Sequence, residues 1–210
     1  MPNAYQLKNV FSADELDFIL KILNKVPERS HNWQDVYTNG FTENDFIYSI
    51  IKKFVIDRIN QLSGKPMGRL TTGMQLITKN PFGIHSDFAR KGDSGHGTAF
   101  LIPLYQQTES SVTDCSYTIV FDQFWRETQN MEDYINTDPD KPVTNADHIW
   151  EKHCDHNPRE FMQYLSIKLM APWEPGSVIA WDRELFHTSD NFLKKGITEK
   201  SALVLFTSND

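Results

Sequence analysis

The chain has 210 residues, a hydrophobic fraction of 39% that includes 14 Phe, 7 Tyr and 5 Trp, and a formal net charge of −7. That length suits one domain with room for an insertion, and the apolar content is enough for a full core. The acidic balance disfavours nonspecific attraction to nucleic acid or to anionic membrane surfaces, although a local basic groove remains compatible with it.

The opening, Met1-Pro2-Asn3-Ala4-Tyr5-Gln6-Leu7, lacks a basic region followed by an apolar stretch, so no signal peptide is expected. The longest apolar runs, such as Ala99 to Leu104, are far too short to span a bilayer. Two cysteines, Cys115 and Cys154, do not make a disulfide framework; reduced thiols in a cytoplasmic protein are the expectation.

The N-terminal third reads as helix. Ser12 and Glu15 form a capping-box pattern ahead of Leu16, Ile19, Leu20 and Leu23, a stripe at helical spacing that Pro27 stops. Thr42 reads as the cap of a second, longer helix carrying Ile47, Ile50, Ile51, Phe54 and Ile59, ended by Gly64 and Pro66. The period then changes, and Leu70 to Thr78, Ile84 to Asp87, Thr98 to Tyr105 and Ser116 to Phe121 read as strands.

From about Asp122 to Gln163 the texture is polar, charged and rich in Trp, Asn and Asp. A short helix is expected after Asn145, and another at Asn157-Pro158 with Asn as cap and Pro as first helical residue. Strands resume at Leu165 to Ala171, Ser177 to Trp181, Leu185 to Thr188 and Glu199 to Thr207. There is no repeat, low-complexity tract or linker. The expectation is one domain over 1–210: a helical region over about 8–64, a β core over about 69–207, and an insertion over about 122–164. About eight short strands behind two helices suggest a small barrel or jelly roll, mainly β, with the helices covering one sheet.

Within this frame one cluster carries chemistry. His85 and Asp87 lie two residues apart on an extended segment, so both side chains leave the same face. His187, in the stretch that follows Pro175-Gly176, offers a third ligand. Two histidines and a carboxylate form the facial set that holds iron(II) while leaving positions open. A His-x-Asp pair alone is weak, and it occurs a second time at His153-Cys154-Asp155. Topology separates the two pairs, because four predicted strands lie between Asp87 and His187 and only two between Asp155 and His187. The ordinary alternatives are a surface or core histidine for His85 and His187, a polar loop for His153 to His156 in place of a zinc cluster, and a turn residue for His96. Arg90, Lys91 and Arg183 are candidate contacts for an acidic substrate group. Phe82, Phe88 and Trp181 read first as core or pocket wall.

With these residues in place the chain resembles the iron(II)- and 2-oxoglutarate-dependent oxygenase superfamily, in particular its prolyl-hydroxylase-like branch of bacterial or viral type. The opening Phe11-Ser12-Ala13-Asp14-Glu15 is similar to theirs. So is the Pro175-Gly176 turn leading to an apolar strand that ends in Trp181-Asp182 just before the distal histidine. The likeness covers roughly residues 8 to 207. It implies a double-stranded β-helix (a jelly roll, cupin-like), and a variable insertion between its fourth and fifth strands. It also implies iron(II) as cofactor on His85, Asp87 and His187, and 2-oxoglutarate and dioxygen as cosubstrates.

The resemblance further implies a cation at the start of the last strand for the distal carboxylate of 2-oxoglutarate. Lys200 matches that position. A partly buried carboxylate needs a charge-assisted partner, and Lys supplies a point charge in place of the bidentate fork of Arg. Many relatives place a Ser two residues later, where this chain has Ala202; Ser201 or Thr78 is expected to supply the missing hydroxyl. Lys194 and Lys195 fall in a loop and are weaker choices.

The implied activity is hydroxylation of a C–H bond with release of succinate and carbon dioxide. The substrate is expected to be a peptide or protein, with proline as one option, or a small amino-acid-like metabolite. A carboxylate at position 87 favours hydroxylation over halogenation. No membrane partner is expected, and a nucleic-acid substrate is disfavoured by the net charge. The competing reading is a non-catalytic cupin-like metal-binding module or scaffold.

Overall fold

Three long apolar segments, two of them buried almost continuously, build the centre of the larger of two sheets. In the computed structural model, residues 3–26, 36–64, 68–87, 96–109, 115–124, 131–137 and 146–209 are described. Among them nine strands occur: β1 (Ala4–Leu7), β2 (Val36–Thr42), β3 (Arg69–Thr78), β4 (Thr98–Thr108), β5 (Tyr117–Phe124), β6 (Ile167–Pro172), β7 (Val178–Asp182), β8 (Leu185–Ser189) and β9 (Ile197–Ser208). The larger sheet has the order β1-β7-β4-β9-β3-β2 and the smaller β6-β5-β8, with every pairing antiparallel. Successive strands cross from one sheet to the other: β4 to β5, β6 to β7, β7 to β8 and β8 to β9. This exchange is the jelly-roll winding that the sequence pattern predicts.

The two sheets and their coverings enclose three apolar layers. On the outer face of the larger sheet lie α1 (Ala13–Leu23), α2 (Phe46–Ile51) and α3 (Asp57–Ser63), packing Ile19, Leu23, Ile51, Val55 and Ile59 against Phe100, Ile102 and Leu203. Between the sheets lie Leu101, Val120, Ala171, Trp181, Leu185 and Val204. Behind the smaller sheet lies a third cluster, in which Met131, Tyr134, Ile149 and Met162 of the insertion meet Ile119, Phe121 and Phe186. Strand alternation explains the sharing: on β8, Phe186 points into the insertion cluster and its neighbour His187 points into the space between the sheets. The insertion therefore backs the smaller sheet in its described parts; residues 125–130 and 138–145 lie outside them.

The capping box of α1 is present in full, with Glu15 N–H directed to Ser12 Oγ and Ser12 N–H donating to the Glu15 carboxylate at 2.8 Å. The helix is docked by Val10 and Phe11 N–H, which both donate to the Gly176 carbonyl at 2.9 and 3.0 Å. Gly176 adopts φ +82°, and a Cβ there would stand 2.2 Å from the Phe11 carbonyl oxygen. Only glycine meets both demands in the Pro175-Gly176 turn.

Several sequence expectations change. The region before residue 64 is not all helical: β1 and β2 are strands at the two edges of the larger sheet. Thr42 ends β2 and does not cap the next helix; Asp45 occupies that position. Between α2 and α3 a π-helical stretch, Lys52–Ile56, carries the apolar stripe from Ile47 and Ile51 to Val55, Ile56 and Ile59, leaving Ile50 and Phe54 only partly buried. After Asn145, a short helix, Asp147–Ile149, runs on into a π-helical stretch, Trp150–Cys154. The helix expected at Asn157-Pro158, with Asn157 as cap, is a 3-10 helix over Arg159–Tyr164 with Pro158 as its N-cap. Ile84 to Asp87 is extended but pairs only through an isolated bridge from His85 to His187. Pro27, Pro66 and Asn145 lie outside the described residues.

Candidate active site

The bridge between His85 and His187 is what assembles the site. His85 N–H donates to the His187 carbonyl at 3.1 Å and His187 N–H donates to the His85 carbonyl at 2.8 Å. The segment that carries His85 is thereby added to the smaller sheet beside β8, with four strands, β4 to β7, between Asp87 and His187 in sequence. Both ends of the segment are tied down. Ile84 N–H donates to Asn157 Oδ1 at 2.8 Å, Phe82 N–H to Ser189 Oγ at 2.9 Å, and Asp87 N–H to the Arg183 carbonyl at 2.9 Å. The Arg183 guanidinium donates to the Asp87 carbonyl at 3.1 Å and stands over the Phe206 ring.

The three candidate ligands converge. One atom each from His85, Asp87 and His187 lies within 4.8 Å of the others, and no other such cluster of three occurs among the described residues. His187 Nε2 is 3.4 Å from Asp87 Oδ2 and His85 Nε2 is 4.0 Å from Asp87 Oδ1. Each Nδ1 faces a backbone carbonyl, Gly83 at 2.8 Å for His85 and Leu185 at 3.1 Å for His187. A carbonyl can only accept, so Nδ1 carries the proton and the Nε2 lone pair is left pointing at the carboxylate. Burial, opposed by Asp87 and assisted by His85, holds the His187 imidazole down to a pKa of about 4, so it is neutral at neutral pH. A neutral His187 imidazole facing a carboxylate suits a shared cation and not an ion pair. Trp181 Nε1–H donates to Asp87 Oδ2 at 3.0 Å and orients the carboxylate. The sequence placed Trp181 only in a wall; nothing in a sequence marks which indole N–H meets a ligand.

Lys200 lines the same cavity as the three ligands. It is 1% exposed, and its Nζ donates to Ser116 Oγ at 2.8 Å and stands 3.8 Å from the Trp173 ring centroid. Burial, against the favourable pull of Asp190, lowers its pKa to about 7. Thr78 also lines the cavity, with its hydroxyl turned to the Asn80 carbonyl. Ser201 does not. On β9, Lys200, Val204 and Phe206 face the cavity, and Ser201, one residue out of phase, faces away towards Gln75. Thr38, Thr118, Thr188 and Ser189, which the sequence did not single out, are the hydroxyls that join Thr78 in the wall.

The other candidates separate from the site. His153 and Cys154 are buried behind the smaller sheet, and Asp155 pairs with Lys194 and Asn191. His156 Nε2 meets the Phe82 carbonyl at 2.9 Å. His96 Nδ1 lies 3.1 Å from Glu184 Oε1. Arg183 is buried in the structural role given above. Phe88, Arg90 and Lys91 lie outside the described residues.

Neither a family model nor a curated protein matches the sequence. Solved structures do match. An oxidoreductase of the 2OG-Fe(II) oxygenase family from Burkholderia pseudomallei superposes with a TM-score of 0.56 at 14% identity, over 99% of this chain and 84% of that one. The epimerase SnoN from nogalamycin biosynthesis, in complex with Fe3+, alpha ketoglutarate and nogalamycin RO, gives 0.59 at 13% identity, over 99% and 79%. A Pseudomonas putida prolyl-4-hydroxylase gives 0.52 at 10% identity, over 100% and 95%. The chain shares the fold of these proteins. In that fold His85, Asp87 and His187 stand between the sheets, and Lys200 lies near the start of β9, which begins at Ile197, on the inner face.

Proposed function

We propose that the protein is an iron(II)- and 2-oxoglutarate-dependent dioxygenase that hydroxylates a C–H bond, with release of succinate and carbon dioxide. One observation carries the reading: two imidazoles with free Nε2 lone pairs, a carboxylate fixed by an indole, and a buried lysine line one cavity. The donor set fits iron(II), since two imidazoles and one carboxylate on one side of a cation are the facial arrangement of non-haem iron oxygenases. The cavity, about 270 Å³, has the liquid volume of roughly nine waters. That is the scale of a small dicarboxylate.

When bound, the iron would supply activation of dioxygen coupled to oxidative decarboxylation of the cosubstrate. The chain's residues have four tasks. His85, Asp87 and His187 hold the cation. Trp181 keeps the Asp87 carboxylate in one orientation. Lys200 takes the far carboxylate of 2-oxoglutarate, a charge-assisted contact made stronger by burial. Met74, Leu76, Leu101, Val204 and Phe206 line the remaining wall and keep bulk water from the reacting centre.

For the substrate we propose a peptide or protein, prolyl residues included, or a small amino-acid-like molecule; the P. putida neighbour, named as a prolyl-4-hydroxylase, supports the first of these. The free thiols Cys115 and Cys154 support a reducing compartment, the cytoplasm. No helix among the described residues is long and apolar enough to cross a membrane. A screen reading succinate formation, with proline-containing peptides and free amino acids side by side, tests the assignment. Substrate-dependent succinate in one arm is the expected result. Absence of succinate in every arm, including slow uncoupled turnover without substrate, would count against a dioxygenase.

A further inference from the structure

Lys200 is the end of a buried polar chain that its role as an anchor does not require. Its Nζ donates to Ser116 Oγ at 2.8 Å, and Ser116 Oγ donates its own proton to Asp190 Oδ1 at 2.6 Å. The second oxygen of Asp190 is taken by Lys195, whose Nζ lies 2.6 Å away and also donates to the Cys115 carbonyl at 2.7 Å. Ser116 and Asp190 are fully buried, and the Lys195 side chain is 7% exposed. One carboxylate thus serves two lysines. Asp190 and Lys195 largely cancel, so a protonated Lys200 is a buried charge in excess, eased by Ser116 Oγ and by the faces of Trp173 and Phe192 at 3.8 and 4.9 Å. A carboxylate entering the cavity would supply the missing negative charge.

We propose that Asp190 and Lys195, acting through Ser116, are positioning residues that set the charge of Lys200, so that docking of the 2-oxoglutarate carboxylate is coupled to uptake of a proton by Lys200. The inference rests on the dioxygenase reading above. The titratable groups that face Lys200 are Asp190 and Lys195 from the connection between β8 and β9, Cys115 from the residues before β5, and His156 from the end of the insertion. Burial, the largest effect, and Lys195 oppose the charged amine, Asp190 and Cys115 favour it, and the balance brings the group to about 7. The sign follows. Below about pH 7 Lys200 already carries its proton and binding takes up none. Above it, binding draws one proton from solution, and affinity falls by up to about tenfold per pH unit.

The coupling is read without turnover. Protein preloaded with Mn(II) is titrated with 2-oxoglutarate in a calorimeter under nitrogen, in two buffers of different ionisation enthalpy. Uptake approaching one proton at about pH 8, and near none at about pH 6, is the expected result. Asp190→Asn should move the midpoint to lower pH, because it removes the carboxylate that favours the charged amine. Lys195→Met should move it to higher pH, because it frees Asp190 for Lys200. Opposite shifts from two neighbouring residues are not produced by loss of structure, and either variant carries the test if the other fails to fold. Tight binding at both pH values with no proton uptake would overturn the inference and leave the dioxygenase reading intact. No binding by the unaltered protein at either pH would overturn that reading itself, and the inference with it.

Discussion

A lysine buried for the sake of an anionic ligand costs stability, and Lys200 makes that cost measurable. Its ordinary pKa is 10.5 and the folded protein lowers it to about 7. Between those values the unfolded chain binds more protons than the folded one, so stability from this group rises as pH increases through that window. Below about pH 7 the whole penalty is present. Lys200→Met should therefore stabilise the protein at pH 6, by an amount on the order of a few kcal/mol, with the gain shrinking towards pH 10. Urea unfolding at the two pH values checks this. A variant less stable than the parent at pH 6 would contradict the account of Lys200 as an uncompensated charge. At this scale the sequence was partly legible. His85, Asp87, His187 and Lys200 announced themselves by residue type and by position relative to predicted strands. Ser116 and Asp190 did not, and Lys195 read only as a weaker anchor, because the contact from Ser116 to Lys200 joins residues 84 positions apart and exists only once the sheets have closed.

At the scale of elements, the segment bearing His85 and Asp87 is held by side chains more than by a strand ladder. Its single bridge to β8 leaves Asn157, at the end of the insertion, to accept from Ile84 N–H at 2.8 Å, while its own amide nitrogen lies 3.0 Å from His156 Nε2 and 3.4 Å from Thr188 Oγ1. The insertion thus supports the metal-binding side from behind. Asn157→Ala leaves a buried backbone N–H unpaired, a loss of about 1–3 kcal/mol. It should also loosen two candidate ligands. Mn(II) affinity is expected to fall along with the urea midpoint; unchanged metal affinity in a destabilised variant would show that the segment keeps its geometry without this support.

The long strands were legible because their apolar runs are unmistakable. The strand at Val36–Thr42 was not. Its Asn39-Gly40 pair reads as a turn, and the Thr42-to-Asp45 stretch reads as a helix start shifted by a few residues. The missed strand matters, since Val36 and Thr38 line the cavity. The phase change through Lys52–Ile56 was likewise hidden, because a π-helical turn is set by packing and leaves no period of its own in the sequence.

For the whole molecule, two sheets hold an inward-facing polar site while each turns its other face to a separate cover: N-terminal helices on the larger, the insertion on the smaller. The described part of the insertion packs against the back of the smaller sheet, so substitutions at Tyr134 or Met162 belong to stability and not to substrate contact. The central claim is that the three-ligand cluster and Lys200 form one iron and 2-oxoglutarate site. Its most direct test is an anaerobic titration with iron(II) and then 2-oxoglutarate, followed by visible absorption. The weak charge-transfer band of the chelated cosubstrate should develop in the unaltered protein, and should be absent from His187→Ala. Lys200→Met should still bind the metal and should require far more 2-oxoglutarate to give the band. No band in the unaltered protein, or an undiminished band in His187→Ala, would contradict the account.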